Sequence, residues 1–576
     1  MKMRRVTVHN FRCLKDVTFL LGDYTLVVGE NNSGKTCLVS ALRAFYEQGG
    51  AKYAREVDFP KMRTEDQESW VETEYSTTDA EQESLKEEYR SSDGILRVRR
   101  YFQSSEEERV RPNQSNIYAY EHGKLSSNLF YGAKNISQAK LGGVVYIPEV
   151  SKPDETLKLS GPSPFRDMVN FVMKRAVLQS VTYKELEAAF EKFNLEFKKE
   201  RSRDGFSVDS LTDAINKSIA SWGIRFGVDV NTIRPEEIVK NLLTHFIEDQ
   251  NLPDQRVNLT EYGQGLQRHL IYTLIRLSVS FAAPRPEKKR DFSPELVLLL
   301  FEEPEAFLHP SQQNRLNWDL RALAVQDGQQ VLITTHSPLF VSKSIRDLPA
   351  IVRFHKPSSE THAFQVTEAC VRGLTDANLG LYKLFCDKLA DPCVDATLKK
   401  EIRTKDMGHD SPQTSAKLEE EGLRYFLWLN AERASLFFAR HVLICEGATE
   451  KVLLDYLVDT RWQDLADKHI YFLDAMGKYN VHRYIGLLSE LGIEHSALMD
   501  KDCDTGVHGI VNGFVSAKKT HFTNGIHWFD GDLESFLGID KVRSDLKPIN
   551  VILKVESGAV PDTKLEELRR ALESLL

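Results

Sequence analysis

Apolar positions along this chain follow two rhythms, one of buried strands and one of helices. Tyr24–Val28 is apolar except for Thr25, which predicts a strand buried on both faces. Two short strands, Arg5–Val8 and Val17–Leu21, flank the turn at His9–Arg12 before it. A Gly-rich turn and a helix over Cys37–Glu47 follow it. The charge-rich stretch 60–110, which alternates over Ile95–Phe102, predicts strands and exposed loops. Val144–Ile147, Leu296–Phe301 and Val331–Thr334 read as further buried strands, and Ala350–Phe354 with Ala363–Val366 as a closing pair.

Between these strands the spacing becomes helical. Phe165, Met168, Val169, Val172 and Met173 recur at helical intervals, as do Leu186, Phe190, Phe193 and Phe197. The block predicts an α-helical insertion that splits one α/β domain. Its apolar stripes exceed what a thin helical layer needs, so burial against a second subunit is expected. Residues 375–435 are helical and amphipathic around a polar loop at Thr404–Ser415. A second α/β pattern starts at His441: strand 441–445, helix 449–458, strand 469–473, helix 481–491, strand 495–499. The fold class is therefore α/β. The expected domains are a first α/β half at 1–164, a helical dimerisation insertion at 165–250 and a second half of the same domain at 251–372. A helical linker at 373–436 and a Rossmann-like domain at 437–576 complete the chain.

Composition narrows the class. The 576 residues are 41% hydrophobic and 28% charged, which suits a globular protein rather than a disordered one. No apolar run is long enough to span a membrane, and no apolar segment follows the basic N-terminus, so no membrane partner is expected. A net charge of −9 argues against a generally basic surface but leaves room for a local basic groove. The seven cysteines are scattered without a CxxC pair, which fits reduced thiols and a cytoplasmic location.

Gly29–Thr36 reads GENNSGKT and matches G-x-x-x-x-G-K-[ST] between a buried strand and a helix. Backbone N–H groups of Asn31, Asn32, Ser33 and Gly34 can point at phosphates, Lys35 offers a point charge, and the Thr36 hydroxyl can ligate Mg²⁺. The strand Leu296–Phe301 ends in Glu302-Glu303-Pro304-Glu305. Glu302 is assigned to the nucleotide's metal and Glu303 to water positioning. His336, in Thr334-Thr335-His336-Ser337-Pro338, can reach a γ-phosphate. In this order these motifs resemble the ABC-type ATPases, in particular the RecF/SMC-like branch. That family's signature loop is off pattern here: Gly263, Gln264 and Gly265 are the candidates. The resemblance implies ATP and a dimer at least.

The second centre is acidic. Glu446 ends a strand, Glu450 starts the next helix, and Asp500 and Asp502 lie on alternate residues after another strand. Alternate residues of an extended segment share a face. Asp532 and Glu534 follow. Such hard oxygen donors suit Mg²⁺ or Mn²⁺ rather than zinc. Two such ions can activate water and stabilise a leaving oxygen at a phosphodiester.

The E-G-x-x-E and D-x-D pair resembles the Toprim domain. An ABC ATPase with a helical insertion and a C-terminal Toprim domain resembles the OLD (overcoming lysogenization defect) family of nucleases, which includes Gabija and retron-associated effectors. By that resemblance Glu446, Glu450, Asp500 and Asp502 are metal ligands, and Asp532 and Glu534 serve the second ion. A lysine near the C-terminus steadies the transition state; Lys547 is the first candidate and Lys554 the reserve. The implied protein is a nucleotide-regulated, metal-dependent DNA endonuclease or nickase of anti-phage defence, acting as a homodimer or homotetramer. The implied partner is a helicase, or a reverse transcriptase with its RNA–DNA product. The competing reading is a DNA-binding repair ATPase whose Toprim fold is only a scaffold; convergent carboxylates argue against it, because they repel one another without a cation.

Overall fold

The computed structural model describes residues 1–134, 140–149, 296–341, 345–404, 433–502 and 505–576, together with residues 292 and 294 and scattered positions between 181 and 277. The chain forms two compact units. One comprises Met1–Glu149, Arg290–Ala306 and Pro310–Leu576, and the other Val150–Lys289 with Phe307–His309.

The first unit begins with β1 (Lys2–Phe11), β2 (Leu14–Leu20), β3 (Tyr24–Val28), β4 (Ser69–Ser76), β5 (Ile95–Gln103), β6 (Ile117–Glu121), β7 (Lys124–Leu129) and β8 (Gly143–Ile147). Six of these form an antiparallel sheet in the order β2-β1-β4-β5-β6-β7. In the second unit, β9 (Ile247–Glu248) and β10 (Arg256–Val257) make a short antiparallel pair, and Val208–Ile219 is a helix capped by Ser207. The expected stripes at Phe165–Met173 and Leu186–Phe197 lie outside the described residues except at scattered positions.

Back in the first unit come β11 (Val297–Glu302), β12 (Gln329–Thr334), β13 (Ile351–His355) and β14 (His362–Gln365). They join β3 and β8 in a sheet of order β14-β13-β3-β12-β11-β8, parallel except for β14. All five residues of β3 and all six of β12 are buried, as double-sided coverage requires. β12 begins two residues earlier than its apolar run, at Gln329. Burial of Gln330 is tolerated because its amide donates to the carbonyls of Met3 (2.8 Å) and Gly22 (3.0 Å), and its oxygen accepts from Met3 N–H (2.6 Å).

The helix Glu368–Ala390 runs across the 372/373 position and is followed by Ala396–Thr404. The last domain contains β15 (His441–Cys445), β16 (Ile470–Asp474), β17 (Glu494–Asp500) and β18 (Thr523–Phe529), all parallel in the order β16-β15-β17-β18. On one face Leu443, Cys445, Leu498 and Phe529 pack with Leu453, Leu457, Leu568 and Leu572 of two helices, Ala448–Thr460 and Asp562–Leu575. β18 and the helices Gly506–Ala517, Lys547–Glu556 and Asp562–Leu575 extend the α/β pattern beyond strand 495–499, where the apolar rhythm read from the sequence stops.

A buried arginine joins this domain to the ATPase sheet. Arg353 of β13 is 1% exposed and donates to the carbonyls of Leu491 (3.3 Å), Gly492 (2.9 Å) and Ala439 (3.1 Å). At Gly492, φ is +62° and a Cβ would come within 2.4 Å of the Phe364 ring, so only glycine fits this seam.

Candidate functional site

The phosphate loop is shaped by two glycines. A Cβ on Gly29 would lie 2.2 Å from the Phe354 carbonyl oxygen, and one on Gly34 (φ +101°) would lie 2.7 Å from Thr361 Oγ1. The loop therefore lies against β13 and its neighbours at a distance only glycine allows. Asn31, Asn32 and Thr36 are exposed, whereas Ser33, Gly34 and Lys35 are buried. Lys35 Nζ donates to the carbonyls of Gly29 (3.0 Å) and Glu30 (2.8 Å). Burial lowers Lys35 to about 8, while Glu303, Glu305 and Glu30 pull it back up. A buried ammonium facing carboxylates, at a helix start, fits a nucleotide's phosphates with their metal ion.

β11 pairs with β12 and carries its acids to the same sheet end. Glu302 accepts from Tyr146 Oη at 2.6 Å. Glu303 has φ +44°, a left-handed conformation that non-glycine residues adopt at a cost of about 1–3 kcal/mol, and its N–H is held by the Thr334 carbonyl at 2.8 Å. Its Oε1 lies 3.2 Å from His336 Nε2. Burial and Lys35 together lower His336 to about 4, so the ring is neutral. Burial, with Glu149 and Glu305, raises Glu303. Glu305, for which the sequence suggested no role, accepts from Thr335 Oγ1 at 2.6 Å and from His336 N–H at 2.7 Å. It thus fixes the loop that presents His336. Gly263 and Gly265 lie in the second unit, and Gln264 lies outside the described residues.

The other acids gather at the C-terminal end of the parallel sheet β15–β18. Glu446 Oε2 accepts from the Asp500 N–H at 3.0 Å, and Asp500 Oδ1 accepts from Leu533 N–H at 3.2 Å. Glu450 Oε2 accepts from Gly447 N–H at 3.0 Å, which closes the helix start over Glu446. Burial raises Asp500 to about 8, reinforced by the charges of Glu450, Glu446, Asp502 and Asp532. Glu450 is raised to about 7, again by burial first and by Glu446 and Glu534. These charge effects link Asp500 with Glu446, Glu450, Asp502 and Asp532, and Glu450 with Glu534.

The outer acids are turned to lysines. Asp502, at φ +52°, is 2.5 Å from Lys478 Nζ and 2.9 Å from His508 Nδ1. Asp532 pairs with Lys541; against the opposing effect of burial, that ammonium and the Ser535 hydrogen bonds hold it at about 2. Glu534 lies 2.8 Å from Lys547 Nζ. Lys554 is further along the same helix, where its carbonyl accepts the Ala559 N–H that closes the last turn. Among the described residues, no three His, Cys, Asp or Glu side chains are grouped as ligands as they stand. Each outer carboxylate follows its own ammonium instead, because crowded anions take whatever counter-charge is adjacent. The donor set is all oxygen and hard, and its central members are raised by burial first and by acidic neighbours second, which fits Mg²⁺ or Mn²⁺.

Beside these acids runs a cleft of about 620 Å³ between the helix Gly506–Ala517 and the edge strand β18. Lys501, which separates Asp500 from Asp502, lines it together with Trp528, Gly513 and Ser516. No atom lies within 4 Å of where a Cβ on Gly513 would be. Sequence reasoning missed Lys478, Lys541 and Trp528; a lone lysine or tryptophan gives no periodic signal.

A phosphate loop with acids on the neighbouring strand, joined to an acidic Toprim-like sheet, defines a two-centre ATPase of the Toprim class. The chain belongs to the "AAA domain, putative AbiEii toxin, Type IV TA system" family, whose model matches residues 25–342, more than half of its length. Residues 437–502 match the Toprim domain described as overcoming lysogenization defect protein-like. Over 516 residues the chain is 21% identical to "Old nuclease" of Escherichia phage P2, covering 87% of this chain and 77% of that protein. Over 527 residues it is 21% identical to "Endonuclease GajA" of Bacillus cereus (strain VD045), covering 87% of this chain and 75% of that protein. Its two domains imply the use of nucleotide and divalent metal. Among the described residues no helix is long and apolar enough to cross a membrane.

Proposed function

We propose that this chain is a nucleotide-regulated, divalent-metal-dependent DNA endonuclease or nickase that serves anti-phage defence. The observation that carries the reading is the gathering of Glu446, Glu450 and Asp500 at one end of the β15–β18 sheet, where Glu446 accepts from the Asp500 N–H and burial with the charges of Glu450 and Glu446 raises Asp500. A scaffold gains nothing from that repulsion, whereas a cation site requires it. Glu446, Glu450, Asp500 and Asp502 would hold one ion, and Asp532 and Glu534 the side of a second. When bound, Mg²⁺ or Mn²⁺ supplies an activated water and stabilises the leaving oxygen. Lys547 then faces the charge that develops on the phosphate, and Lys478 fixes the Asp502 carboxylate. Lys501 and Trp528 give the substrate strand a cation and a ring beside the cut.

At the other centre, Asn31 to Thr36 cradle the ATP phosphates, and Thr36 with Glu302 hold their ion. Glu303 orients water, and His336 senses the γ-phosphate. Gly263, Gln264 and Gly265 act across a dimer. Arg353 joins the ATPase sheet to the N-terminal end of the Toprim sheet, and on this reading nucleotide occupancy gates cleavage rather than driving it. Within the defence role, the partner is a helicase or a reverse transcriptase with its product.

Supercoiled plasmid incubated with Mg²⁺ or Mn²⁺, with and without ATP, tests the reading. Nicked or linear product that depends on the metal and shifts with ATP is expected. Intact plasmid under every condition, from protein that binds ATP, would overturn it.

A further inference from the structure

Two cysteines separated by the whole phosphate loop in sequence meet beside it in space. Cys13 lies in the turn between β1 and β2, and Cys37 in the first turn of the helix Lys35–Tyr46, one residue past Thr36. Their sulfurs are 3.4 Å apart, and both residues are partly exposed. Cys13 also touches the loop itself. A Cβ on Gly34 would come within 2.9 Å of Cys13 Sγ, and the Cys13 carbonyl accepts from Thr361 N–H at 3.0 Å. Thr361 Oγ1 in turn donates to the Ser33 carbonyl at 2.9 Å. The sulfur pair, Thr361 and the phosphate loop are thus one packed group.

We propose that Cys13 and Cys37 form a peroxide-sensitive dithiol whose oxidation to a disulfide closes down nucleotide binding. The inference rests on the reading of Gly29–Thr36 as a nucleotide site. In the reaction, the Cys13 sulfur attacks one peroxide oxygen; the O–O bond breaks, the Cys13 sulfur gains a hydroxyl as sulfenic acid, and the other oxygen leaves as water. The Cys37 sulfur then attacks the Cys13 sulfur, an S–S bond forms, and the hydroxyl leaves with a proton as the second water. Two thiols are oxidised and one hydrogen peroxide is reduced to two waters. The thiol of Cys13 is suited to attack first: the hydrogen bond from Cys37 lowers it to about 6 against the opposing effect of burial.

The structural consequence follows from the distances. A disulfide needs its sulfurs about 2.05 Å apart, so the pair must close by more than 1 Å relative to the thiol contact of 3.4 Å. Whatever side-chain rotation does not take up falls on the β1–β2 turn and on the helix start that presents Lys35 and Thr36. Phosphate cradles depend on backbone N–H positions, which a shift of that size spoils.

The test uses the full-length protein. Reduced protein is treated with hydrogen peroxide, free thiols are alkylated, and peptides are mapped. A Cys13–Cys37 linked peptide should appear ahead of oxidation at Cys393, which is exposed and serves as an internal control. Affinity for a non-hydrolysable ATP analogue should fall at least tenfold and return with dithiothreitol. Cys13→Ser should bind nucleotide like the reduced wild type and lose the peroxide response, and Cys37→Ala should lose the linked peptide. Absence of the linked peptide while Cys393 is modified would overturn the proposal. So would a linked peptide with unchanged affinity. Failure of the reduced protein to bind the analogue would instead overturn the nucleotide reading itself, which the reduced arm reads separately.

Discussion

Both carboxylate clusters occupy the C-terminal ends of parallel strands, yet they are neutralised in different ways. At the ATPase end, Glu303 and Glu305 both lie within reach of the charge of one buried lysine, Lys35, and one oxygen of Glu305 accepts from a hydroxyl and a backbone N–H. At the Toprim end, three lysines each hold one outer acid: Lys478, itself buried, with Asp502, Lys541 with Asp532, and Lys547 with Glu534. Of the inner acids, Glu446 and Glu450 accept from backbone N–H groups and Glu446 also feels the Lys478 and Lys547 charges, while Asp500 accepts from the Leu533 N–H and is crowded by its acidic neighbours. The ATPase end is therefore built around a cation that an anionic ligand can engage. The Toprim end is built around a central anionic hole ringed by positive charge, which is what a metal ion and then a polyanion require.

The sharpest way to break that comparison is to remove an inner acid. Asp500→Ala should lower plasmid cleavage at least a thousandfold, since it deletes a central oxygen donor. ATP binding and the fold should be retained, as checked by analogue affinity and circular dichroism. Robust cleavage by this variant would move the chemistry elsewhere.

The next largest effect tests the connection between the two ends. Arg353 is buried and donates to three carbonyls of the Toprim side. Arg353→Met keeps the length of the side chain but leaves those carbonyls unpaired. It should cost about 2–4 kcal/mol of stability. Cleavage by the variant should also respond less to ATP than the wild type does. A wild-type ATP response would mean that the joint is only structural.

Much of this architecture was legible in the sequence, and what was not has a physical reason. β3, β11, β12 and β15 each contain a mainly apolar run, so their existence and order could be read directly. GENNSGKT and the paired acids carry fixed spacings. The counter-ions do not: Lys478 reaches Asp502 across 24 residues, and Arg353 reaches Leu491 across 138. Nothing local marks a lysine as buried rather than solvated. Leu565, Leu568, Leu572 and Leu575 did carry a helical signal, and the last helix could have been found from it. Gln330 hid the start of β12, because an amide in a buried strand is credible only once its backbone partners are known.

A smaller effect is expected at the cleft. Trp528→Ala should weaken binding of a single-stranded oligonucleotide by about 1–3 kcal/mol, measured in chelator to separate binding from cleavage. Gly513→Leu should act in the same direction by filling the space beside the ring, and it should not harm the helix, because leucine is the better helix former. Unchanged affinity in both variants would remove the cleft from the substrate path and leave nucleic-acid contact to the lysines.

The smallest effect separates the two ends by pH. Asp500 and Glu450 lie at about 8 and about 7 in the folded protein, far above ordinary carboxylates, chiefly because they are buried and then because their neighbours are acidic. A folded state that raises a carboxyl's pKa binds more protons than the unfolded chain between the two values. Stability of the metal-free protein therefore falls as pH rises from the unfolded values near 4 through about 8. Over pH 6 to 8 the loss should be about 1–2 kcal/mol, because relaxation and water at a partly open site reduce the full linkage. Adding Mg²⁺ should offset the loss at pH 8 and do little at pH 6, where protons occupy the site. Asp500→Asn should flatten the slope, while Glu303→Gln at the other end should leave most of it. Melting profiles of the three proteins across this range, with and without Mg²⁺, are the measurement; equal slopes would mean that the Toprim acids are not the crowded, cation-seeking cluster that their contacts describe.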